Sequence, residues 1–382
     1  MRQILSCLML SLLITSCSTV NNNQLQSHET RYQQLTQQAW PTITAKTPLS
    51  LEQESPAVPA IRARLHLLGD YKGTPSQSPL LDANLVSAVR FFQWRHGLPN
   101  TGVIDKKTLN TMNIDPAKRL QQIRESIKKW NTLPTNIGTK FIHVNIPAYE
   151  MSVVENGSKV LNMKVVVGRS NRPTPELYSL VKTIVLNPTW NVPRKLAAED
   201  IIPNQMKDPS FLKKNNIKIY ESWKNRNKTI DPSTLDWNQI WEQGFPYHFT
   251  QEPGNGNSLG KVKFLFDNPH GVYMHDTPKK YLFNKIKRAY SSGCIRLEKP
   301  FLLAEYFLRD NPNFDQETVQ DILTSNKTKY IKLRTPIPVH ITYITAWVDK
   351  QGHLHFREDI YKKASANSNA SSEPPNNTEQ GE

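Results

Sequence analysis

The chain has 382 residues, enough for two domains that each bury a real core. Of these, 37% are hydrophobic, the balance of an ordinary soluble protein rather than of a chain too polar to fold. Lys and Arg number 48 against 33 Asp and Glu, a formal charge of +15, which raises the local concentration of anionic partners and serves plain solubility equally well.

At the N-terminus, Arg2 precedes a mostly apolar run from Ile4 to Ile14. That run is too short to span about 30 Å of hydrocarbon as a stable helix, so residues 1–16 read as a secretory signal. It ends Leu13-Ile14-Thr15-Ser16-Cys17, which resembles the bacterial lipobox. The resemblance implies cleavage before Cys17, lipidation of Cys17, and a periplasmic protein anchored to a membrane by that lipid. Ser18 in place of Asp points to the inner leaflet of the outer membrane. Several acyl chains, at about 0.8 kcal/mol per buried CH2, make such an anchor stable. Export also argues against nucleic acid as the partner of the positive charge. Cys7 leaves with the signal and Cys17 carries lipid, so of three cysteines only Cys294 remains as a thiol. In an oxidising compartment such a thiol is either buried and inert or kept for chemistry.

Residues 17–55 are rich in Asn, Gln, Ser, Thr and Pro without a sustained apolar period. They read as a flexible tether with a reach on the order of 35 Å. Residues 364–382 read as a disordered tail for the same reason. Between them, Val58, Ile61, Leu65 and Leu68 recur at helical spacing up to Gly69. Asp82 caps a second helix carrying Leu85, Ala88, Val89 and Phe92, and Asp105 caps a third through Leu109 and Met112. The stretch Phe91-Phe92-Gln93-Trp94-Arg95-His96-Gly97-Leu98-Pro99, with Gly102, Asp105 and Thr108, resembles the three-helix peptidoglycan-binding module, here over 56–115. The resemblance implies docking to glycan or stem peptide. His66 and His96 have no Cys, Asp or Glu at ligand spacing and are not read as a metal pair. Residues 116–138 read as a linking helix with a stripe of Leu120, Ile123, Ile127 and Trp130.

From 139 to 363 the period changes from helical to alternating. Strands are expected at Phe141–Ile146, Met151–Val154, Val160–Val167, Lys182–Leu186, Lys261–Phe266, Gly271–His275, Pro338–Val348 and Leu354–Phe356. Asn156-Gly157 marks a tight hairpin. Residues 195–260, basic and helix-rich with Trp223, Trp237 and Trp241, read as an insertion or lid. The expected fold is therefore α+β and multidomain: a small three-helix domain, then a mainly β, sandwich-like domain with a helical insertion.

The informative segment is Tyr273-Met274-His275-Asp276-Thr277-Pro278, followed after a basic stretch by Tyr290-Ser291-Ser292-Gly293-Cys294-Ile295-Arg296. A cysteine nucleophile needs a base within hydrogen-bond reach, and a strand–loop–strand return across residues 276–293 brings His275 beside Cys294. Gly293 lets the backbone approach a substrate, and the amides of Gly293 and Cys294 are expected as oxyanion donors, each worth about 3 kcal/mol. An extended 294–296 puts Arg296 on the face of Cys294, ready to hold a carboxylate through two hydrogen bonds. His353-x-His355 lies in an expected strand, and there is neither an HExxH helix nor a cysteine cluster, so neither metal nor cofactor is called for.

The His275–Cys294 arrangement with Ser-Ser-Gly-Cys-Ile-Arg resembles the YkuD-type L,D-transpeptidase domain in its YcbB-like branch. Val167-Gly168-Arg169 with Thr174-Pro175, Asn187-Pro188-Thr189-Trp190, and Asn257-Ser258-Leu259-Gly260-Lys261 fit the same branch. Ser292 stands where many members have a second histidine. The resemblance implies a cysteine acyltransferase acting on the tetrapeptide stem of peptidoglycan. Cys294 forms a thioester with release of D-alanine, His275 acts as base, and an amine acceptor completes a 3→3 cross-link. It also implies that the Asp276 carbonyl orients His275, and that Arg296, Ser292, Tyr273 and Trp190 contact substrate. Acylation by carbapenems is expected on the same ground. Two alternatives stand beside this reading: a peptidoglycan or protein–wall amide hydrolase with the same Cys/His pair, and a non-catalytic wall-binding lipoprotein.

Overall fold

The computed structural model describes residues 17–132, 138–222, 228–244, 246–309 and 311–363, and the chain divides into two units. The expected signal 1–16, the tail 364–382 and Trp223 lie outside the described residues. Among those residues no helix is long and apolar enough to cross a membrane.

The first unit takes the chain up to 138, with 145–148 and the segment from 343 onward. Its helices are α1 (Cys17–Leu35), α2 (Val58–Leu68), α3 (Ala83–Arg95), α4 (Lys106–Met112) and α5 (Pro116–Thr132). Local chemistry sets the ends of the middle three. Asp82 Oδ1 accepts from Leu85 N at 2.8 Å, Asp105 Oδ1 accepts from Thr108 N at 2.6 Å, and Gly69 closes α2 with φ +80°. Val58, Ile61, Leu65, Leu85, Val89 and Phe92 are fully buried in one cluster, and each large apolar side chain so buried contributes about 1.5–3 kcal/mol.

Residues 17–55 do not form the expected tether. Leu25, Tyr32 and Leu35 of α1 are buried against Leu120 and Ile123 of α5, while Ile43 and Leu49 enter the core of the three-helix module. Leu49 also exchanges backbone hydrogen bonds with Ile104 at 3.1 and 2.9 Å. The apolar positions of α1 are too sparse among polar residues to read as a stripe, and they matter only because α5 presents a matching face. Nor is α5 a free linker. The β-domain also ends earlier than expected: the hairpin of Ala346–Val348 and Leu354–Phe356 buries Ala346, Val348, Leu354 and Phe356 in the α1–α5 cluster.

Among the described residues, the second unit, 139–144 and 149–342, holds thirteen strands. They are β1 (Lys140–Asn145, whose last residue belongs to the first unit), β2 (Glu150–Glu155), β3 (Ser158–Gly168), β4 (Leu177–Leu186), β5 (Trp190–Asn191), β6 (Ile217–Tyr220), β7 (Thr229–Ile230), β8 (His248–Gln251), β9 (Val262–Phe266), β10 (Met274–His275), β11 (Ala289–Ser291), β12 (Ile295–Leu297) and β13 (Lys329–Thr342). Nine of them form one sheet in the order β11-β3-β12-β10-β9-β4-β13-β1-β2, and β2 also pairs with β3, so the sheet returns on itself. Asn156 and Gly157, at φ +51° and +72°, make the β2–β3 turn. The expected strand Pro338–Val348 is displaced: β13 begins at Lys329 and ends at Thr342. Its first half alternates with Lys329, Lys332 and Arg334, and that charge hid it.

The insertion carries more β-structure than its composition suggests. β5, β8, β6 and β7 form a separate antiparallel sheet, in that order. Against it pack α6 (Arg194–Leu196), a widened π-type turn over Ala197–Ile201, α7 (Ile202–Lys207), α8 (Phe211–Lys214) and α9 (Trp237–Gln243). Val192, Ile201, Ile202, Leu212, Ile219 and Phe249 supply the core. Trp237 stacks over Phe249 at 6.5 Å, whereas Trp241 is 55% exposed. Two further helices, α10 (Pro300–Leu308) and α11 (Gln316–Ser325), complete the unit.

Candidate active site

Alternation in three neighbouring strands builds the site. Val262 and Phe264 of β9, Met274 of β10, and Ile295 and Leu297 of β12 are completely buried. Successive side chains of a strand point to opposite faces, so the residues between them face the other way. β10 runs parallel to β12 and antiparallel to β9, with His275 opposite Arg296 on one side and Lys263 on the other. Three basic side chains therefore stand in one row across the sheet. Tyr273 and Cys294 precede His275 and Arg296 by two residues and share their face. Ile295 N donates to Tyr273 O at 3.0 Å and keeps the two strands in step up to the cysteine. Opposite Arg296 on β3 is Val166, which packs with Leu282 and Phe283 as an apolar wall.

His275 is 4% exposed. Its Nδ1 lies 2.5 Å from the main-chain carbonyl of Asp276, and with Nδ1 donating, the lone pair is left on Nε2. Burial, then the Arg296 cation, and more weakly Lys263, press the imidazole down to about 3, so it is neutral at pH 7. The Asp276 carboxylate faces away from the ring: it accepts from Lys261 N at 2.9 Å and pairs with Lys280. Gly260 has to be glycine there, since a Cβ would stand 2.3 Å from Asp276 Oδ2.

Cys294 keeps part of its surface open. Burial pushes its thiol up, and Tyr273, Lys263 and Arg296 pull it back. The Tyr273 side chain lies within electrostatic reach of both Cys294 and Trp190, while Lys263 Nζ sits 3.7 Å over the Tyr273 ring. Arg296 Nε finds no acceptor among the described residues. Tyr273 thus lies between Cys294 and Trp190, with the ring of His275 5.6 Å from its own and Arg296 opposite His275 in the register.

The turn that carries the cysteine has its own hydrogen bonds. Ser291 Oγ donates to the Cys294 carbonyl at 2.5 Å and accepts from Gly293 N at 3.1 Å. The Gly293 amide is therefore engaged by the turn's own serine rather than directed at an oxyanion. Ser292, expected as a substrate contact, accepts from Arg172 Nη1 at 2.9 Å, because the loop after β3 lies alongside. Gly293 itself sits at φ +116°, a conformation that favours glycine. Its carbonyl accepts from Thr174 Oγ1 at 2.8 Å.

The sequence reading missed Lys263 and Arg172. Lys263 carries one signal, a lone cation between Val262 and Phe264 in an alternating strand, but only the register shows that it faces His275. Arg172 carries none short of the loop geometry. Among the described residues no three His, Cys, Asp or Glu side chains gather as a metal-holding group.

The site is therefore a closed β-sheet with a buried His at the end of one strand and a partly open Cys in the Ser-Ser-Gly-Cys turn before the neighbouring strand. Residues 139–320 match the L,D-transpeptidase catalytic domain (YkuD), and residues 54–112 match the family described as "Putative peptidoglycan binding domain". The chain thus carries a YkuD-type L,D-transpeptidase catalytic domain preceded by a peptidoglycan-binding domain. It is 36% identical over 220 residues to the "Putative L,D-transpeptidase" of Haemophilus influenzae (strain ATCC 51907 / DSM 11121 / KW20 / Rd). That alignment covers 58% of this chain and 44% of the relative, so the chain spans less than half of that protein's length. Among solved structures, the L,D-transpeptidase (Yku) from Stackebrandtia nassauensis is similar at 14% identity and TM-score 0.29, covering 80% of this chain and 97% of that one. The L,D-transpeptidase (residues 123–326) from Xylanimonas cellulosilytica DSM 15894 is similar at 13% identity and TM-score 0.25, covering 78% and 99%.

Proposed function

We propose that this protein is a peptidoglycan L,D-transpeptidase that works through a Cys294 thioester and forms 3→3 cross-links. The observation that carries the reading is the hydrogen bond of His275 Nδ1 to the Asp276 carbonyl, which keeps the lone pair of the neutral ring on Nε2, in the strand that pairs with the one following Cys294. In the first half-reaction, His275 Nε2 takes the Cys294 proton as Sγ attacks the carbonyl of the third, L-centred residue of a tetrapeptide stem. The Tyr273 hydroxyl, already at Cys294, is the side-chain donor the site offers to the oxyanion. Collapse breaks the amide bond, His275 returns the proton to the departing D-alanine nitrogen, and the acyl group stays on sulfur. In the second half-reaction an amine of another stem attacks the thioester, its proton passes to His275, and Cys294 leaves as thiol. Arg296, with Nε unpaired, is suited to a stem carboxylate, and Lys263 and Arg296 together favour the thiolate.

The peptidoglycan-binding domain holds the chain at its substrate. The signal and lipobox support an exported protein carrying lipid on Cys17, facing the wall from the inner leaflet of the outer membrane. The test is product analysis of purified tetrapeptide muropeptides with the soluble chain and its Cys294→Ala variant. Dimers with a 3→3 bond and released D-alanine, absent from the variant, are expected. Tripeptide without dimer would make the protein a hydrolase, and no turnover by either would leave a wall-binding protein.

A further inference from the structure

The insertion is tied to the turn that carries Cys294 by one guanidinium. β3 ends at Gly168, and the loop after it wraps the nucleophile turn. Arg169 N donates to Ser291 O at 3.0 Å, and Thr174 Oγ1 bridges Gly168 N and the Gly293 carbonyl, each at 2.8 Å. The loop is folded so tightly on itself that a Cβ on Gly168 would stand 2.3 Å from the Arg172 carbonyl oxygen. Its apex, Arg172, is 9% exposed. Arg172 Nη1 donates both to Ser292 Oγ at 2.9 Å and to Asp200 Oδ2 at 2.7 Å, while Nη2 donates to Asp200 Oδ1 at 3.1 Å and pairs with Glu199. Arg169 Nη2 stands 3.8 Å from Asp200 and 3.5 Å from Ser292 Oγ. Both acids lie in the widened turn Ala197–Ile201. Consecutive residues of a regular α-helix diverge by about 100°, and a π-type turn is the kind of local widening that recurs at functional positions. Here two adjacent carboxylates reach the same guanidinium.

We propose that Arg172 is a positioning residue for the Cys294 reaction, and that Asp200, with Glu199, is the insertion's contribution to it. Bonded on one edge to the insertion and on the other to Ser292, Arg172 fixes the turn Ser292-Gly293-Cys294 only while the insertion is seated. The insertion thereby completes the site without touching the sulfur. The proposal rests on Cys294 being the reacting residue, and it explains what a serine does where many YkuD-type domains have a histidine: it receives the clamp.

The test is a double-mutant cycle on the full chain with Arg172→Met, Asp200→Asn and the double variant, plus Arg172→Lys. Two rates are read, alkylation of Cys294 by iodoacetamide and acylation by a saturating carbapenem, each below the melting temperature of every variant. Arg172→Met and Asp200→Asn are each expected to slow acylation about tenfold to a hundredfold. The double variant is expected to be no slower than Arg172→Met, because the two act as one unit. Arg172→Lys keeps the charge without the fork and should restore less than half of the lost rate. Asp208→Asn, which breaks the insertion's separate pair with Lys214, is expected to leave both rates unchanged. Unchanged rates in the Asp200 variant, or losses that multiply independently in the double, would overturn the clamp. If the wild type reacts with iodoacetamide but never with carbapenem or stem peptide, the transpeptidase reading falls, and the alkylation rates still decide the clamp. Asp200→Asn is isosteric at a side chain 38% exposed, so it remains the informative variant if Arg172→Met does not fold.

Discussion

His275 sits between Arg296 and Lys263 in one cross-strand row, and burial first, then these cations, disfavour its protonated form. The imidazole is pressed to about 3 by burial and Arg296, while burial holds the thiol above its ordinary value. In the proposed reaction, proton transfer therefore accompanies attack instead of preceding it. Labelling of Cys294 by iodoacetamide between pH 5 and 9 should rise along a thiol titration with no step near 6.5, where a free histidine titrates. Lys263→Met removes a cation that favours the thiolate, so it should move that curve to higher pH and slow labelling at pH 7. The same depressed histidine has a stability consequence. Between about 6.5 and 3 the unfolded chain binds a proton that folded His275 refuses, so this contribution is whole above pH 6.5 and is lost as pH falls. The expected slope is about 1.4 kcal/mol per pH unit from this residue, and His275→Gln should flatten it in denaturant titrations at pH 4, 5 and 6.

At the scale of elements, the nucleophile turn is held by its neighbour loop more than by itself. Thr174→Val keeps shape but strips the hydroxyl that joins Gly168 N to the Gly293 carbonyl, removing two buried hydrogen bonds at once. That should cost about 1–3 kcal/mol in chemical denaturation and slow acylation of Cys294 as well. Gly168→Ala should be worse, since its Cβ meets backbone that cannot step aside. The elements were unevenly legible. β9, β10 and the 293–297 segment announced themselves through alternation, and the Asn-Gly turn through its type. The motif Tyr273…His275…Cys294…Arg296 was readable because alternation assigns faces within a strand. That β9 lies on the other side of β10 was not readable, and so Lys263 was missed. The π-type turn was also invisible, because nothing in Ala-Ala-Glu-Asp-Ile distinguishes it from an ordinary helical turn.

For the whole molecule, composition misled where partners lie far apart in sequence. Residues 17–55 read as a tether because Leu25, Tyr32 and Leu35 are isolated among polar residues, yet each is buried. The hairpin 346–356 read as part of the β-domain because it is β, although its apolar residues belong to the helical cluster. If α1 is a structural helix, Leu25→Ala should destabilise the first unit by about 2–5 kcal/mol, read by thermal or denaturant unfolding. A change under half of that would return the segment to a tether. The three-helix module, by contrast, was legible almost to its caps, because Asp82, Gly69 and Asp105 are local signals that need no partner.

The central claim is that Cys294 carries the acyl group, with His275 as its base. Intact-protein mass spectrometry after brief mixing with tetrapeptide muropeptide, quenched in acid, tests it most directly. The expected result is an adduct equal to the stem less D-alanine, mapped to Cys294, absent in Cys294→Ala and greatly slowed in His275→Gln. Muropeptide turnover without any such adduct, or turnover that survives Cys294→Ala, would contradict it.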